Sequence, residues 1–107
     1  MITWITGNSG SGKTTLAKKI IASDGGILLD GDGMRTCWSL GLSKEDRVEN
    51  NMRIAKIAKV LDGQGFNVVV ATICPYRELR EQVKRITKCR FIYLEGGIES
   101  EDYPYEK

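Results

Sequence analysis

The sequence contains no histidine, and its three cysteines are scattered. Cys37, Cys74 and Cys89 form no CxxC pair, so the chain offers no ligand set for a structural zinc site. An odd and dispersed set of cysteines also argues against a disulfide framework and favours a reducing compartment. We therefore expect a cytoplasmic protein that is not stabilised by zinc or by disulfides.

Long apolar runs and strong charge imbalance are missing as well. No stretch approaches the roughly 18 apolar residues of a membrane-spanning helix, and the opening residues MITWIT carry no basic segment that would begin a secretion signal. The formal net charge is only +2, which indicates neither a nucleic-acid nor a membrane partner. With 41% hydrophobic and 28% charged residues in a chain of 107, we expect one compact domain, residues 1–107.

Short apolar segments alternate with helical patterns along the chain. We predict strands at residues 2–6, 27–29, 67–73 and 90–94, and helices at residues 13–22, after the N-cap Ser43 up to Gly63, and at 76–87 with Pro75 in the first turn. The tail, residues 95–107, is predicted to be a loop. This βαβαβαβ order predicts an α/β fold with a parallel sheet of about four strands and helices on both faces. Ligands of such folds bind at the carboxyl ends of the strands.

The stretch GNSGSGKTT follows the first predicted strand and opens the first predicted helix. Gly7, Gly12, Lys13 and Thr14 match the phosphate-binding P-loop pattern G-x-x-x-x-G-K-[ST]. Its glycines let successive backbone N–H groups point inward as an anion-binding nest, and the helix adds the positive end of its dipole. Lys13 is suited to reach the β- and γ-phosphates, and the Thr14 hydroxyl is suited to bind Mg²⁺. The motif therefore predicts nucleotide binding.

A second group of polar residues follows the next two strands. Asp30 ends the second strand, where a carboxylate can hold a metal-bound water or accept a hydroxyl proton. Arg47 and Asn50 share one helical face, and Arg77 and Arg80 follow the third strand. Taken singly, each has an ordinary structural explanation: DGD can be a turn, Arg47 can pair with a nearby carboxylate, and Arg77 and Arg80 can form a solvated helix face.

Taken together, four segments resemble the adenylylsulfate kinase (APS kinase) family. They are GNSGSGKTTLA, LDGDGMR, LSKEDRVENNMRIAKIAKVL and ICPYRELRE, in this order and at near-normal spacing, and they cover roughly residues 2–85. The family has a three-layer P-loop kinase fold of the P-loop NTPase class. It transfers the γ-phosphoryl group of Mg-ATP to the 3′-hydroxyl of adenosine 5′-phosphosulfate, giving 3′-phosphoadenosine 5′-phosphosulfate (PAPS), in sulfate assimilation.

The resemblance implies a role for each matching residue. Lys13, Asp30 and Asp32 would be catalytic, and Mg²⁺ would bind Thr14 directly and Asp30 through water. ATP would be cradled by Gly7, Asn8, Ser9, Gly10, Ser11, Gly12, Lys13, Thr14 and Thr15. The small-molecule acceptor would bind to Asp32, Arg35, Arg47, Asn50, Ile73, Cys74 and Pro75. Family members are dimers, so a homodimer is expected.

The chain also departs from the family pattern. Leu42 stands where the family has a phenylalanine that stacks on the substrate adenine, and Cys74 replaces a serine. After the fourth strand the family has an Arg-Asp pair and a lysine-rich lid. Here the chain continues directly into a tail whose Pro104-Tyr105-Glu106 matches a later family motif. A lid excludes water and adds positive charge to the transferring group, so weaker ATP binding and slow transfer are expected.

Two other functions remain open at this point. The first is a P-loop kinase for a different small-molecule or nucleotide acceptor, which the loss of aromatic stacking at Leu42 and the loss of the lid favour. The second is a catalytically weak ATP-binding module that acts by assembly. A pure ATP binder does not use an acceptor site, so the second is opposed by retention of the acceptor residues Asp30, Asp32, Arg35, Arg47 and Asn50. A GTPase is not expected, because the chain has no NKxD-like segment.

Overall fold

Four parallel strands form the central layer of the computed structural model, which describes all residues from 1 to 107. In chain order the elements are β1 Ile2–Gly7, α1 Lys13–Asp24, β2 Ile27–Asp30, α2 Gly31–Cys37, α3 Lys44–Gly63, β3 Val68–Ala71, α4 Arg77–Thr87 and β4 Arg90–Leu94. The strands lie in the order β2-β3-β1-β4, and every neighbouring pair is parallel. The predicted α/β class and four-stranded parallel sheet are therefore confirmed.

The two faces of the sheet carry different helices. Along β1 and β3, Trp4 and Val70 face the core formed with α3 and α4, whereas Ile5 and Val69 face the smaller core formed with α1. This alternation follows from the two-residue period of a strand. All four residues of β3 are buried, because the strand lies between β1 and β2 and has helices on both faces. The predicted three-layer arrangement is confirmed.

Local signals in the sequence set several helix boundaries. The Ser43 side chain accepts a 3.1 Å hydrogen bond from the backbone N–H of Asp46, which fixes the start of α3 as predicted. The helix ends at the predicted Gly63. Gly12, the N-cap of α1, has φ 98°, a left-handed conformation that glycine adopts without steric cost. No helix is both long and apolar enough to span a bilayer.

Helix α2 was not predicted. Gly31 and Gly33 are poor helix formers, so local propensity gives no sign of it. A tertiary contact offsets this low helix propensity, because the amide Nδ2 of Asn50 donates to the Gly31 carbonyl at 3.1 Å. The site also requires glycine, since a Cβ placed at Gly31 would lie 2.8 Å from the Thr72 methyl. The small residue lets α2 begin directly against β3, immediately after Asp30.

Placing Pro75 in the first turn of the third predicted helix was wrong. Helix α4 begins at Arg77, with the extended Tyr76 as its N-cap. The Pro75 carbonyl accepts a 2.8 Å hydrogen bond from Glu106 N–H, and the Glu106 carboxylate accepts one from Arg77 N–H, also at 2.8 Å. Glu106 of the tail is therefore hydrogen-bonded to the Pro75 carbonyl and to Arg77 N–H, the backbone groups on either side of the N-cap Tyr76.

The tail has no regular secondary structure, as predicted, but hydrogen bonds attach it to the sheet at the carboxyl end of β1. Ile98 N–H donates to the carbonyl of Ser9, a P-loop residue, at 2.8 Å. The Tyr105 hydroxyl lies 3.1 Å from Thr6 Oγ1. The tail thus runs from the P-loop to the beginning of α4, across one side of the carboxyl ends of the strands.

Candidate functional site

The carboxyl ends of β1, β2 and β3 open into a single cleft of about 410 Å³. It is lined by these residues that the sequence analysis singled out: Ser9, Gly10, Gly12, Lys13, Thr14, Thr15, Asp30, Asp32, Arg35, Leu42, Arg47, Asn50, Ile73, Cys74 and Pro75. Three other P-loop positions, Gly7, Asn8 and Ser11, lie outside the lining. The structure therefore brings the P-loop and the residues proposed for the acceptor to one edge of the sheet, as the topology predicted.

The glycine run forms a loop closed around its own lysine. The Asn8 carbonyl accepts hydrogen bonds from Lys13 Nζ at 2.8 Å and from Ser11 N–H at 3.2 Å. Gly7 has φ 153°, and a Cβ there would lie 2.5 Å from the Leu94 carbonyl oxygen. Glycine is therefore required where the loop leaves β1 against β4. The Ser11 hydroxyl is buried without a partner, so it is a free polar group inside the loop.

Lys13 and the two aspartates share one electrostatic environment. Burial lowers the pKa of Lys13, while the negative charges of Asp32 and Asp30 oppose this effect. The ammonium group is thus partly desolvated and held near two carboxylates. A phosphate chain bound in the loop would favour the charged form of Lys13 and would offset the loss of hydration that burial causes.

Helix α2 carries Asp32 in its first turn and Arg35 in its last. Arg35 Nη1 donates to the Leu40 carbonyl at 3.3 Å, whereas its Nε is buried without a partner. An unsatisfied donor of a charged group is costly unless a ligand or water completes it. Arg35 lines the cleft, and its guanidinium keeps a donor that no protein acceptor occupies.

Both the oxygen and the nitrogen of the Asn50 side-chain amide form hydrogen bonds within the protein. Its Oδ1 accepts a 2.9 Å hydrogen bond from Trp38 Nε1, and its Nδ2 donates to Gly31 O at 3.1 Å. The side chain therefore attaches α2 to α3 at two points, and only one amide hydrogen remains for a ligand. No sequence pattern indicated this role of Trp38.

Arg47 has no carboxylate partner, so the ion-pair alternative is wrong. The salt bridges are those of the Met1 ammonium with Asp62 and of Arg53 with Glu49. Arg47 Nε instead donates to the Leu42 carbonyl at 3.1 Å. The guanidinium carbon lies 4.0 Å from the centroid of the Tyr103 ring. The arginine is thus positioned at the cleft without being neutralised.

Arg77 and Arg80 do not line the cleft. Arg77 is exposed, in agreement with the solvated-face alternative, whereas Arg80 is only partly exposed. Arg80 Nη1 donates to the Cys74 carbonyl at 2.8 Å, and its guanidinium lies 4.4 Å from the Tyr105 ring centroid. Arg77 Nε donates to the Lys107 carbonyl at 2.7 Å. Both arginines hold the tail, a role that sequence reasoning missed.

Cys74 adopts an unusual backbone conformation at the cleft. Its φ is 42°, which is strained for a residue other than glycine. The thiol is 1% exposed, and burial raises its pKa to about 12. The thiol is therefore protonated and inert at neutral pH, and the part of Cys74 that serves the cleft is its backbone.

Four lining residues were missed, Gly31, Asn51, Ala71 and Thr72, and two of them carry a buried polar side chain. Thr72 Oγ1 accepts a hydrogen bond from Trp4 Nε1 at 2.9 Å and donates to Asn51 Oδ1 at 2.8 Å. Asn51 Nδ2 donates to the Arg47 carbonyl at 2.9 Å. This buried chain connects the floor of the cleft to the helix that carries Arg47. The second asparagine in the segment EDRVENN is the only sequence signal that could have suggested it.

Comparisons with known proteins agree on one family. A family model described as adenylylsulphate kinase matches residues 1–99. The chain is 47% identical over 88 residues to the adenylyl-sulfate kinase of Microcystis aeruginosa, covering 76% of this chain and 49% of that protein. It is 42% identical over 93 residues to that of Myxococcus xanthus, covering 81% and 50%. The chain thus spans about half the length of the curated relatives it matches.

Solved structures give the same result. A hexameric APS kinase from Thiobacillus denitrificans superposes with a TM-score of 0.82 at 32% identity, over 99% of this chain and 23% of that one. The Mycobacterium tuberculosis APS kinase in complex with AMPPNP and APS gives 0.69 at 33% identity, over 86% and 59%. A gluconokinase from Sinorhizobium meliloti, at 22% identity and a TM-score of 0.70 over 89% and 57%, shares the fold alone.

Proposed function

Because this chain belongs to the adenylylsulphate kinase family, we propose that it transfers the γ-phosphoryl group of ATP to the 3′-hydroxyl of adenosine 5′-phosphosulfate, giving PAPS. The observation that carries this proposal is the single cleft that joins Lys13 of the P-loop to Asp32, Arg35 and Arg47. A phosphoryl transfer needs donor and acceptor side by side, because most of its catalysis is positioning and charge stabilisation.

On the donor side, the P-loop backbone and Lys13 hold the phosphates. Lys13 Nζ is hydrogen-bonded only to the Asn8 carbonyl, so it needs only a side-chain movement to reach a phosphate oxygen. In the cleft, the ammonium group neutralises charge that develops on the oxygens of the transferring group. The α1 N-terminus contributes its dipole to the same anion.

Thr14 and Asp30 fit a magnesium ion that is shared with the nucleotide. Both line the cleft, and the protein has no group of three or more His, Cys, Asp or Glu side chains able to hold a metal by themselves. Mg²⁺ in kinases is held by one or two protein groups together with phosphates and waters. The Thr14 hydroxyl would bind it directly and the Asp30 carboxylate through a water, and the ion would supply charge neutralisation of the phosphates.

On the acceptor side, Asp32 accepts the proton of the attacking hydroxyl. Arg35 and Arg47 bind the phosphosulfate group, because arginine forms paired, charge-assisted hydrogen bonds with such anions. The backbone of residues 73–75 forms the opposite wall, where Ile73, Cys74 and Pro75 line the cleft. Asn50 has one free amide hydrogen for the same ligand.

Leu42 favours a second candidate, a kinase with another anionic acceptor. Its aliphatic side chain lines the cleft and is 52% exposed. An aliphatic side chain offers a purine ring apolar contact but no aromatic stacking. The acceptor of such a kinase would use the same arginines without requiring a nucleobase.

The test is ADP release from Mg-ATP with and without adenosine 5′-phosphosulfate. We expect release that depends on the acceptor, that is abolished in Lys13→Ala, and that falls about 10²- to 10⁴-fold in Asp32→Asn with retained ATP binding. Asp24→Asn, an exposed carboxylate at the end of α1, is the matched control and keeps full activity. ATP binding without acceptor-dependent release would reject the proposal and leave the other acceptor or a plain ATP-binding module.

We also infer that the enzyme works in the cytoplasm as a homodimer. All three cysteines are free thiols, which fits a reducing compartment. The strand β4 has a neighbour on one side only, which leaves an edge that a second copy can cover. Sedimentation velocity would test the dimer, and a single monomer peak at all concentrations would exclude it.

A further inference from the structure

We propose that Tyr103 is a positioning residue that fixes the guanidinium of Arg47 toward the acceptor half of the cleft. This inference rests on the proposed function. Arg47 lines the cleft, whereas Tyr103 does not. The Arg47 guanidinium carbon lies 4.0 Å from the centroid of the Tyr103 ring, well within the distance at which a cation is attracted to an aromatic face. Tyr103 therefore acts on a bound acceptor through Arg47.

The contacts of Arg47 leave its two terminal amino groups available. Its Nε donates to the Leu42 carbonyl at 3.1 Å, and the Tyr103 ring covers one face of the guanidinium. No carboxylate lies within ion-pair distance, since the salt bridges of the protein involve other residues. The side chain is thus held at two points while its charge stays unpaired, which is the arrangement that favours binding of an anion with little loss of rotamer entropy.

Tyr103 can orient Arg47 because the tail is fixed on both sides of the ring. Before it, Ile98 N–H donates to the Ser9 carbonyl at 2.8 Å, and within the tail Tyr103 N–H donates to Ser100 Oγ at 3.1 Å. After it, the Tyr105 hydroxyl lies 3.1 Å from Thr6 Oγ1, and Glu106 N–H donates to the Pro75 carbonyl at 2.8 Å. The ring is therefore presented to Arg47 from a segment with anchored ends.

Three variants test the proposal in the full chain. Tyr103→Leu keeps an apolar side chain but removes the aromatic face, Tyr103→Phe keeps the face, and Glu101→Gln alters an exposed tail residue as a control. For adenosine 5′-phosphosulfate we expect the dissociation constant to rise about five- to twenty-fold in the leucine variant. The phenylalanine and control variants should stay within about twofold of the wild type, and Mg-ATP binding should be unchanged in all. The leucine variant should show a raised KM and an unchanged kcat, because Tyr103 touches no reacting atom.

A readout without ligand separates this inference from the proposed function. The Nε–H of Arg47, assigned by its loss in Arg47→Lys, should exchange slowly with water in the wild type and in Tyr103→Phe, and faster in Tyr103→Leu. Circular dichroism establishes that each variant is folded. Equal acceptor affinity in the wild type and the leucine variant would overturn the inference. If the wild type binds no acceptor, the proposed function fails. In that case, faster Nε–H exchange in Tyr103→Leu but not in Tyr103→Phe would still support the positioning of Arg47 by Tyr103. Unchanged exchange in Tyr103→Leu would overturn it.

Discussion

The indole Nε1 of Trp38 donates a 2.9 Å hydrogen bond to Oδ1 of Asn50, and this bond joins the end of α2 to the middle of α3. Helix α2 has only seven residues and two glycines, so it has little stability of its own. The other end of the Asn50 amide group holds the first residue of α2, Gly31. The placement of Asp32 and Arg35 at the cleft therefore depends on a residue of the neighbouring helix.

Trp38→Phe should lower the free energy of unfolding by about 1 kcal/mol. The smaller phenyl ring keeps an aromatic side chain, and one hydrogen bond to the buried Asn50 is lost. Urea unfolding measures the effect, and the fully buried Trp4 remains as the fluorescence probe. An unchanged midpoint at equal slope would show that the bond does not stabilise α2.

Thr72→Val should be the more damaging substitution, costing about 2 to 4 kcal/mol. The Thr72 hydroxyl is the only link between Trp4 Nε1 and Asn51 Oδ1, so valine leaves two buried polar groups without partners. Thr72→Ser keeps the hydroxyl and should be closer to the wild type in the same urea titration. A larger loss for serine than for valine would contradict this, because it would show that the methyl group, which valine keeps and serine lacks, matters more than the two hydrogen bonds.

The free energy of unfolding of the wild type, compared with that of Lys13→Met, should increase as the pH is raised toward 10.5, the ordinary pKa of lysine. Burial lowers the pKa of Lys13 in the folded protein, despite the opposing charges of Asp32 and Asp30. Between the lowered pKa and 10.5 the unfolded chain keeps a proton that the folded protein has released, so raising the pH favours the folded state. Urea unfolding of both proteins from pH 7 upward tests this. A difference that does not vary with pH would contradict it.

One thiol of three should react quickly in the folded protein. Cys37 is exposed, whereas Cys74 and Cys89 are each 1% exposed. Burial raises the pKa of Cys74 to about 12 and also raises that of Cys89, so neither supplies thiolate at pH 8. Titration with Ellman's reagent should give one fast equivalent, which disappears in Cys37→Ser, and three equivalents in denaturant. A second fast equivalent would contradict this, because it would show that the fold opens around Cys74 or Cys89.

The sequence predicted those features that depend on local pattern and on topology. The P-loop motif, the Ser43 cap and the alternation of strands and helices established the fold, and the rule for parallel sheets brought Asp30 and Cys74 to the same edge. Helix α2 was missed because its glycines are stabilised by contacts with α3 and β3, which lie far away in sequence. The stacking of Tyr103 on Arg47 was missed for the same reason, since no local pattern links a tail residue to a helix.

The strand order has a consequence for synthesis of the chain. Neither strand that pairs with β1 is next to it in sequence, and its first partner is β3, where Ile2 pairs with Val68. At roughly 5 to 20 residues per second, several seconds pass between the appearance of the first strand and that of its partner. During this time Trp4 and Ile5 have no sheet to join. The nascent chain should therefore depend on chaperones most strongly before the third strand leaves the ribosome.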